Sequence, residues 1–534
     1  MFPLFKYLNQ TNINNILYSL KTYGPITTFH KITNNLSLAS DYRKFLERTS
    51  VSSSDILEQS NFSFAFQPLI SIVVPLYNTP LSFLKQMIDS VISQSYTNWE
   101  LCLADGSPSD SDSKIFNVIK NYQQNFSNIK YQKLEKNLGI SGNTNAALSL
   151  ASGDFIALLD HDDLLTPDAL FEIVTVLNKH NDVDVLYTDE DKVDTDLSNY
   201  YDPYFKPDFN LDLLRTCNYI THFFVVKKNL ALSVGGFSDE CNGSQDYDFI
   251  LKNCEKAQHI YHIPKILYHW RIHPASVAGD PKSKTYAYDS AVRALQNHLQ
   301  RCNISATVKK SDHFGYYQIH YHCSDTPLVS IYLKDCSSNL LKQLKAITTY
   351  KNYEFVTNPL DATGAFLIQL YNIDSILSPD WIEQLLGNCC RSSIGMAGTK
   401  ILYKNTILES GLIFTQDGNV HSPFRSLPKK DPGYCYRAQV QQQCSLISPS
   451  CYMISTKLYK NLYASIISDS FIADHYQLCK KIGDIGKAII VLPQVSVLSS
   501  TKNVIYPKLE YYSGKTDPFY NPNFSTKTFY RLPR

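Results

Sequence analysis

Gly153-Asp154-Phe155-Ile156-Ala157-Leu158-Leu159-Asp160-His161-Asp162-Asp163-Leu164-Leu165-Thr166-Pro167-Asp168 joins a short apolar run to three carboxylates within four residues. Phe155 to Leu159 has the length of a buried strand, and Pro167 stands where a helix can open. The pattern predicts a strand that delivers acids to a sheet edge. Carboxylates this close repel one another unless a cation or hydrogen-bond donors offset their charge, and Mg²⁺ or Mn²⁺ does so readily. In open α/β sheets ligands collect beyond the carboxyl ends of strands, where this cluster is expected to lie. Taken alone, the cluster also reads as a solvated Asp-rich turn ahead of a helix.

Working outward, Leu69 to Val74 is a β-branched run closed by Pro75, residues 81–93 are apolar at helical spacing, and Trp99 to Ala104 ends at Asp105-Gly106-Ser107. Further strands are expected near 128–132, 183–187 and 222–226, with helices over 141–151, 167–180 and 285–301. The alternation predicts an α/β domain with a mostly parallel sheet and helices on both faces. In such a sheet Asp105 and the Asp160 cluster share one edge.

Composition bounds the function. Lys and Arg number 50 against 49 Asp and Glu in 534 residues, and the net charge of +1 gives no general pull toward nucleic acid or acidic membranes. The 13 cysteines are scattered without a C-x-x-C pair, which indicates neither a zinc site nor a disulfide framework and fits a reducing compartment. There is no signal-peptide core and no run of about 18 apolar residues, so the chain reads as soluble and cytoplasmic.

Five motifs in order, Ser71-Ile72-Val73-Val74-Pro75-Leu76-Tyr77-Asn78, Ala104-Asp105-Gly106-Ser107, Asn137-Leu138-Gly139 with Asn145, Leu159-Asp160-His161-Asp162-Asp163 and Gly243-Ser244-Gln245-Asp246-Tyr247-Asp248, resemble those of family-two inverting glycosyltransferases with the GT-A (nucleotide-diphospho-sugar transferase) fold. The likeness is greatest to bacterial two-domain members that build O-antigen and other envelope polysaccharides. It implies a UDP- or dTDP-sugar donor, a glycan or lipid-linked acceptor, and Mn²⁺ or Mg²⁺. Pro75, Tyr77, Asn78, Asp105, Asn137, Gly139 and Asn145 fall at donor-binding positions, with Asp105 accepting from the pyrimidine N–H. Asp160 and Asp162 match the D-x-D that bridges ribose and metal, and Asp246 matches the general base. Thr144 stands where many relatives have Arg, so sugar specificity does not carry over.

Several residues keep two readings. Asp246 also suits a helix start. Arg271 and His273, two apart at an expected strand end, suit the diphosphate and the metal respectively, although either His269 or His273 also suits a packed position. Asp189-Glu190-Asp191 reads as a pocket wall or as an exposed acidic loop. A phosphohydrolase with Asp160 as nucleophile and a noncatalytic sugar-nucleotide-binding protein are the rival functions.

A repeat divides the chain. Pro327-Leu328-Val329-Ser330-Ile331 echoes Pro68-Leu69-Ile70-Ser71-Ile72, and Tyr350 to Phe355 echoes Tyr96 to Leu101. The expected plan is a partly helical extension (1–66), a catalytic domain (67–284), a helix-and-strand linker (285–326), a degenerate second GT-A-like domain (327–500) and a tail (501–534) whose tyrosines suit glycan or membrane headgroups. The second copy places Pro359 opposite Asp105, Asn372-Ile373-Asp374 opposite Asp160-His161-Asp162, and Asp474 near the base position. That erosion predicts a noncatalytic copy.

Overall fold

The computed structural model describes residues 10–273, 285–466 and 470–533. In chain order the first sheet comprises β1 (Ile70–Leu76), β2 (Trp99–Asp105), β3 (Ile129–Lys133), β4 (Phe155–Leu158), β5 (Leu164–Leu165), β6 (Val185–Val193), β7 (Tyr200–Tyr204), β8 (Phe224–Lys227) and β9 (Ile260–Arg271). Their spatial order is β3-β2-β1-β4-β8-β6-β9-β5, with β7 paired to β6. All residues of β1 are buried, as the β-branched run requires of a central strand. It lies parallel to β2 on one side and to β4 on the other, so Asp105 and Asp160 leave the sheet at the same edge.

The expectation of a mostly parallel sheet holds for β3-β2-β1-β4 and again for β6 with β9, and gives way elsewhere. β8 runs antiparallel to both β4 and β6, and β5 antiparallel to β9, which makes the sheet mixed. An apolar run such as Phe224-Val225-Val226 predicts a buried strand but carries no information about its direction.

A hairpin of β10 (Ala306–Lys310) and β11 (Tyr317–Tyr321) follows the helix Thr285–Arg301. The second sheet then forms from β12 (Val329–Lys334), β13 (Tyr353–Val356), β14 (Phe366–Tyr371), β15 (Ile373–Ile376) and β16 (Ile394–Tyr403). Short strands β17 (Thr406–Glu409), β18 (Ile413–Phe414), β19 (Val420–His421) and β20 (Gln442–Gln443) come next, then β21 (Cys451–Ser455) and β22 (Ala488–Ser499). Its order, β13-β12-β14-β21-β16-β22-β15, reproduces β2-β1-β4-β8-β6-β9-β5 strand for strand.

The duplication extends to single hydrogen bonds. Ser71 Oγ donates to Glu100 at 2.6 Å and accepts from Gly153 N at 2.9 Å, and Ser330 Oγ donates to Glu354 at 2.6 Å and accepts from Gly364 N at 2.9 Å. Both glycines are forced by space. A Cβ on Gly153 would lie 2.4 Å from Leu69 O, and one on Gly364 2.5 Å from Leu328 O.

Two of the expected correspondences shift. Strand register pairs Ile70 with Phe155 and Val329 with Phe366, which puts Tyr371, not Asn372, opposite Asp160. Counting back from Ser378-Pro379 restores Asn372, and the surplus residue is taken up by a bulge at Asp374 in β15. In the helix Phe471–Asp484, Asp474 N–H bonds to Ser470 as Asp248 N–H does to Ser244, so Asp474 matches Asp248, and Ile472 takes the place of Asp246. Between β13 and β14 there is only the short turn Pro359–Asp361, so the copy lacks counterparts of β3 and of the helix Gly139–Ser149.

The N-terminal segment is helical over Gln10–Thr49, as two helices that meet at Gly24 (φ 80°) ahead of Pro25. Tyr42 and Phe45 pack with Phe205 of the first domain and with Tyr520, Phe524 and Leu532 of the tail. No described helix is long and apolar enough to cross a membrane. Where the two sheets meet, buried Asp212 accepts from Arg391 and from Gln441, each at 2.8 Å. Asp212→Ala strands a buried guanidinium and is expected to cost about 3–5 kcal/mol. Thermal or urea denaturation checks it, and a loss under about 1 kcal/mol would show that this ion pair does not hold the seam.

Candidate active site

At the common edge of β1 and β2 a cleft of about 470 Å³ is lined by Tyr77, Gly106, Ser107, Pro108, Lys133 and Asn137, among others. Asn78 turns the chain there at φ 50° and donates its N–H to Ser107 Oγ at 2.9 Å. Asp105, next to the lining residue Gly106, is fully buried. Its carboxylate accepts from Ser107 N at 2.9 Å and Tyr131 OH at 3.0 Å, with Lys133 at 3.7 Å. The sequence-derived donor residues divide accordingly. Tyr77 and Asn137 line the cleft, whereas Pro75 is buried inside β1 opposite Ala104. Asn137 Oδ1 accepts from Gly139 N, and Gly139 supplies the φ of 77° that opens the next helix.

Asn145 does not face the cleft. Its amide brackets Phe237, donating to the carbonyl at 2.8 Å and accepting from the N–H at 2.9 Å, and so fixes the Gly235-Gly236-Phe237 turn. A side chain with both a donor and an acceptor is suited to holding a stretch of backbone, and that use consumes it.

The acid cluster resolves into three environments. Asp163 is buried, accepting from Tyr268 OH at 2.5 Å and Arg271 N at 2.7 Å. Burial first, then the charges of Asp162 and Asp160, pushes its carboxyl well above the usual range. Asp162 meets His273 Nε2 at 2.8 Å, as the expected metal pair would. Asp160, whose side chain is 55% exposed, lies 3.8 Å from His222 Nε2. The described residues therefore group Asp160 with Asp163 and His222, and Asp162 with His273.

Arg271 departs from its expected place on the phosphate. It is fully buried beneath the cluster, where Nε donates to the Asp162 carbonyl at 2.6 Å, one Nη contacts Gln86, and the guanidinium lies 4.3 Å from the Phe83 ring centroid. Arg271 Nη2 has no hydrogen-bond partner among the described residues. Its geometry is that of a brace for the D-x-D loop.

Behind Asp160 runs a chain of alternating charge that no motif announced. His222 stacks on Tyr268 at 4.4 Å and contacts Glu190 at 3.3 Å as an ion pair rather than an aligned hydrogen bond. Glu190 is bound in turn by fully buried Lys206 at 2.9 Å. Burial opposes the imidazolium, but Glu190 and Asp160 outweigh it and raise the His222 pKa to about 10. Burial likewise opposes the Glu190 carboxylate, and Lys206 with His222 brings it down to about 2. Asp189-Glu190-Asp191 is accordingly a buried stretch of β6, which excludes the exposed-loop reading. The signal was present in the sequence as three acids directly following an apolar strand, but their partners lie far away in the chain.

Asp246 sits at the second position of the helix Gln245–Lys256, with Oδ2 accepting from Asn218 Nδ2 at 2.9 Å. Burial is the main cause of an upward shift in its pKa, opposed by His222 and reinforced by Asp160, so the three groups share one field. Its neighbour Asp248 is spent on Lys252 at 2.8 Å and Arg301 at 3.5 Å.

Residues 71–234 match the family model described as glycosyl transferase family 2. The chain is 33% identical to the uncharacterized protein y4gI of Sinorhizobium fredii over 443 residues, 73% of this chain and 48% of that one. It is 25% identical to the O-antigen biosynthesis protein RfbC of Myxococcus xanthus over 519 residues, 86% of this chain and 40% of the relative. A chondroitin synthase of Pasteurella multocida is 29% identical over 207 residues, covering 39% and 21% of the two chains. The chain spans less than half the length of each of these relatives. The family match sets aside the reading of Asp160 as a phosphohydrolase nucleophile.

The charge chain makes stability depend on pH in a defined window. His222 has a raised pKa, so its contribution is complete below about 6.5 and drains away as pH rises toward about 10. Glu190 has a lowered one, so its contribution is complete above about 4.5 and is lost as pH falls toward about 2. The melting-temperature gap between the native chain and His222→Gln is expected to be widest near pH 5–6 and to narrow steadily toward pH 10. A gap that stays constant over that range would contradict the ion pair.

Proposed function

Residues 71–234 are a family-two glycosyltransferase domain, and from that premise we propose that this chain transfers a sugar, with inversion, from a UDP- or dTDP-sugar to a glycan or lipid-linked acceptor. The product is an envelope polysaccharide of the O-antigen kind, made in the cytoplasm at or near the inner face of the membrane. Likeness to an O-antigen biosynthesis protein supports the pathway class. The observation that carries the chemistry is a desolvated carboxylate, Asp246, held by Asn218 within the same field as Asp160 and His222.

In this reading the nucleoside occupies the cleft beside Tyr77, with Asp105 below it and the ribose reaching Asp160. Asp160 and Asp162 present hard oxygen donors with the His273 imidazole beside them, a set that suits Mn²⁺ or Mg²⁺. When bound, that ion supplies positive charge for the departing diphosphate. Arg271 and Tyr268 hold the loop that carries both acids, and His222 orients Asp160. Asp246 accepts the acceptor hydroxyl proton as the new glycosidic C–O bond forms and the bond to the diphosphate breaks. Burial raises its proton affinity, which suits a base.

Asp246→Asn keeps shape and loses the base, so transfer is expected to fall by about 10²–10⁴-fold while donor affinity persists. Parallel measurements of donor binding, melting and transfer decide it, and unchanged transfer by a folded variant would refute the mechanism. In the second copy, Asp374→Ala should leave transfer nearly unchanged, whereas Asp160→Ala should abolish most of it. Equal losses would make the second domain catalytic.

A further inference from the structure

The linker hairpin meets the second domain through one very close backbone approach. The helix Trp381–Cys389 lies against β11 at Gly387, where a Cβ would stand 2.0 Å from Tyr321 O. Arg391 extends the seam, its guanidinium 4.1 Å from the Tyr321 ring centroid and paired with Asp212. With the two backbones locked this closely, the residues just beyond them face each other. Cys323 Sγ and Cys390 Sγ are 2.6 Å apart. That is inside the ~3.5–4.0 Å optimum for unbonded heavy atoms such as carbon. Cys390 is exposed and Cys323 partly so, which leaves the pair open to solution thiols, whereas Cys102, Cys217, Cys241, Cys254, Cys444, Cys451 and Cys479 are buried. Adjacent Cys389 points elsewhere, with Sγ 3.5 Å from the Met453 carbonyl.

We propose that Cys323 and Cys390 form a reversible disulfide that ties the linker hairpin to the second domain. The pair is 67 residues apart in sequence, so no spacing rule marks it. The co-reactant is a small-molecule disulfide such as oxidised glutathione. One protein thiolate attacks it and releases a glutathione thiolate, and the second protein thiolate displaces the other glutathione from the mixed disulfide. Two protein S–H bonds are lost and one S–S bond forms, while the glutathione disulfide takes up two electrons and two protons to give two thiols. The strand so tied, β11, begins at Tyr317, six residues before Cys323, and the Tyr317 ring lies 6.4 Å from that of Tyr247, the residue after the proposed base. Closing a long loop constrains the unfolded chain, and the oxidised form should be the more stable.

The test uses the full chain equilibrated across glutathione redox ratios, quenched with N-ethylmaleimide, digested and mapped by mass spectrometry. The expected result is a peptide joining Cys323 to Cys390, two hydrogens lighter than its separate thiols and lost on reduction. A melting temperature several degrees higher in the oxidised form is also expected, with the rise absent in Cys323→Ser. Labelling of both thiols at every ratio, or Cys390 found joined to Cys389 or only to glutathione, would overturn the proposal. The mapping needs only the native chain, so misfolding of a variant leaves it decisive.

Discussion

Three carboxylates at the mouth of one strand can be kept together only if the surrounding strands return positive charge and hydrogen-bond donors to them. The first domain does this with separate means for each acid. Asp163 is withdrawn from solvent onto Tyr268 and the Arg271 N–H, Asp162 faces His273, and Asp160 faces His222. Behind His222 the charges alternate through Glu190 to Lys206, which is also bound by the carbonyls of Ile220 and His222. Any one of these buried ions alone would cost several kcal/mol. As an alternating series each compensates the next, so the series behaves as a unit and hands a positively charged group to the D-x-D loop.

The sequence disclosed what is contiguous and concealed what the sheet assembles. β1, β2 and β4 were legible because their apolar runs end abruptly in Pro75, Asp105 and Asp160, which fixes both the strands and the edge they share. His222, Glu190, Lys206 and Asn218 were not legible as site residues, because they arrive through β6 and the segment that leads from it into β8. β8 enters the sheet against the direction that βαβ reading presumes. Asn145 and Arg271 show a different limit. Their types were right for phosphate or sugar, but nothing in a one-dimensional motif shows which way a side chain faces, and the amide and the guanidinium are both spent on the backbone that shapes the site.

The second copy shows which features a duplicated sheet cannot give up. Ser330, Glu354 and Gly364 keep the bonds of Ser71, Glu100 and Gly153 because each is a buried polar group that would be costly to leave unpaired. Acids gathered at an open edge are the reverse case, since without a ligand their mutual repulsion is a cost and their loss is free. Loss of the β3 and helix counterparts removes a wall of the cleft, and the bulge at Asp374 shifts the D-x-D position by one residue.

Beyond the second sheet, the tail links back to the charge chain of the first domain. After β22 the chain returns to the first domain, where Asn521 Nδ2 donates to Asp189 Oδ2 at 2.9 Å and to the Lys206 carbonyl at 2.8 Å. Asp189 also accepts from Lys206 N at 2.8 Å and contacts His262 Nε2 at 2.9 Å. The backbone of Lys206 is thereby fixed from two sides, which sets the position of its ammonium against Glu190 and, through Glu190, the position of His222. The tail thus helps hold the charge chain that steadies Asp160.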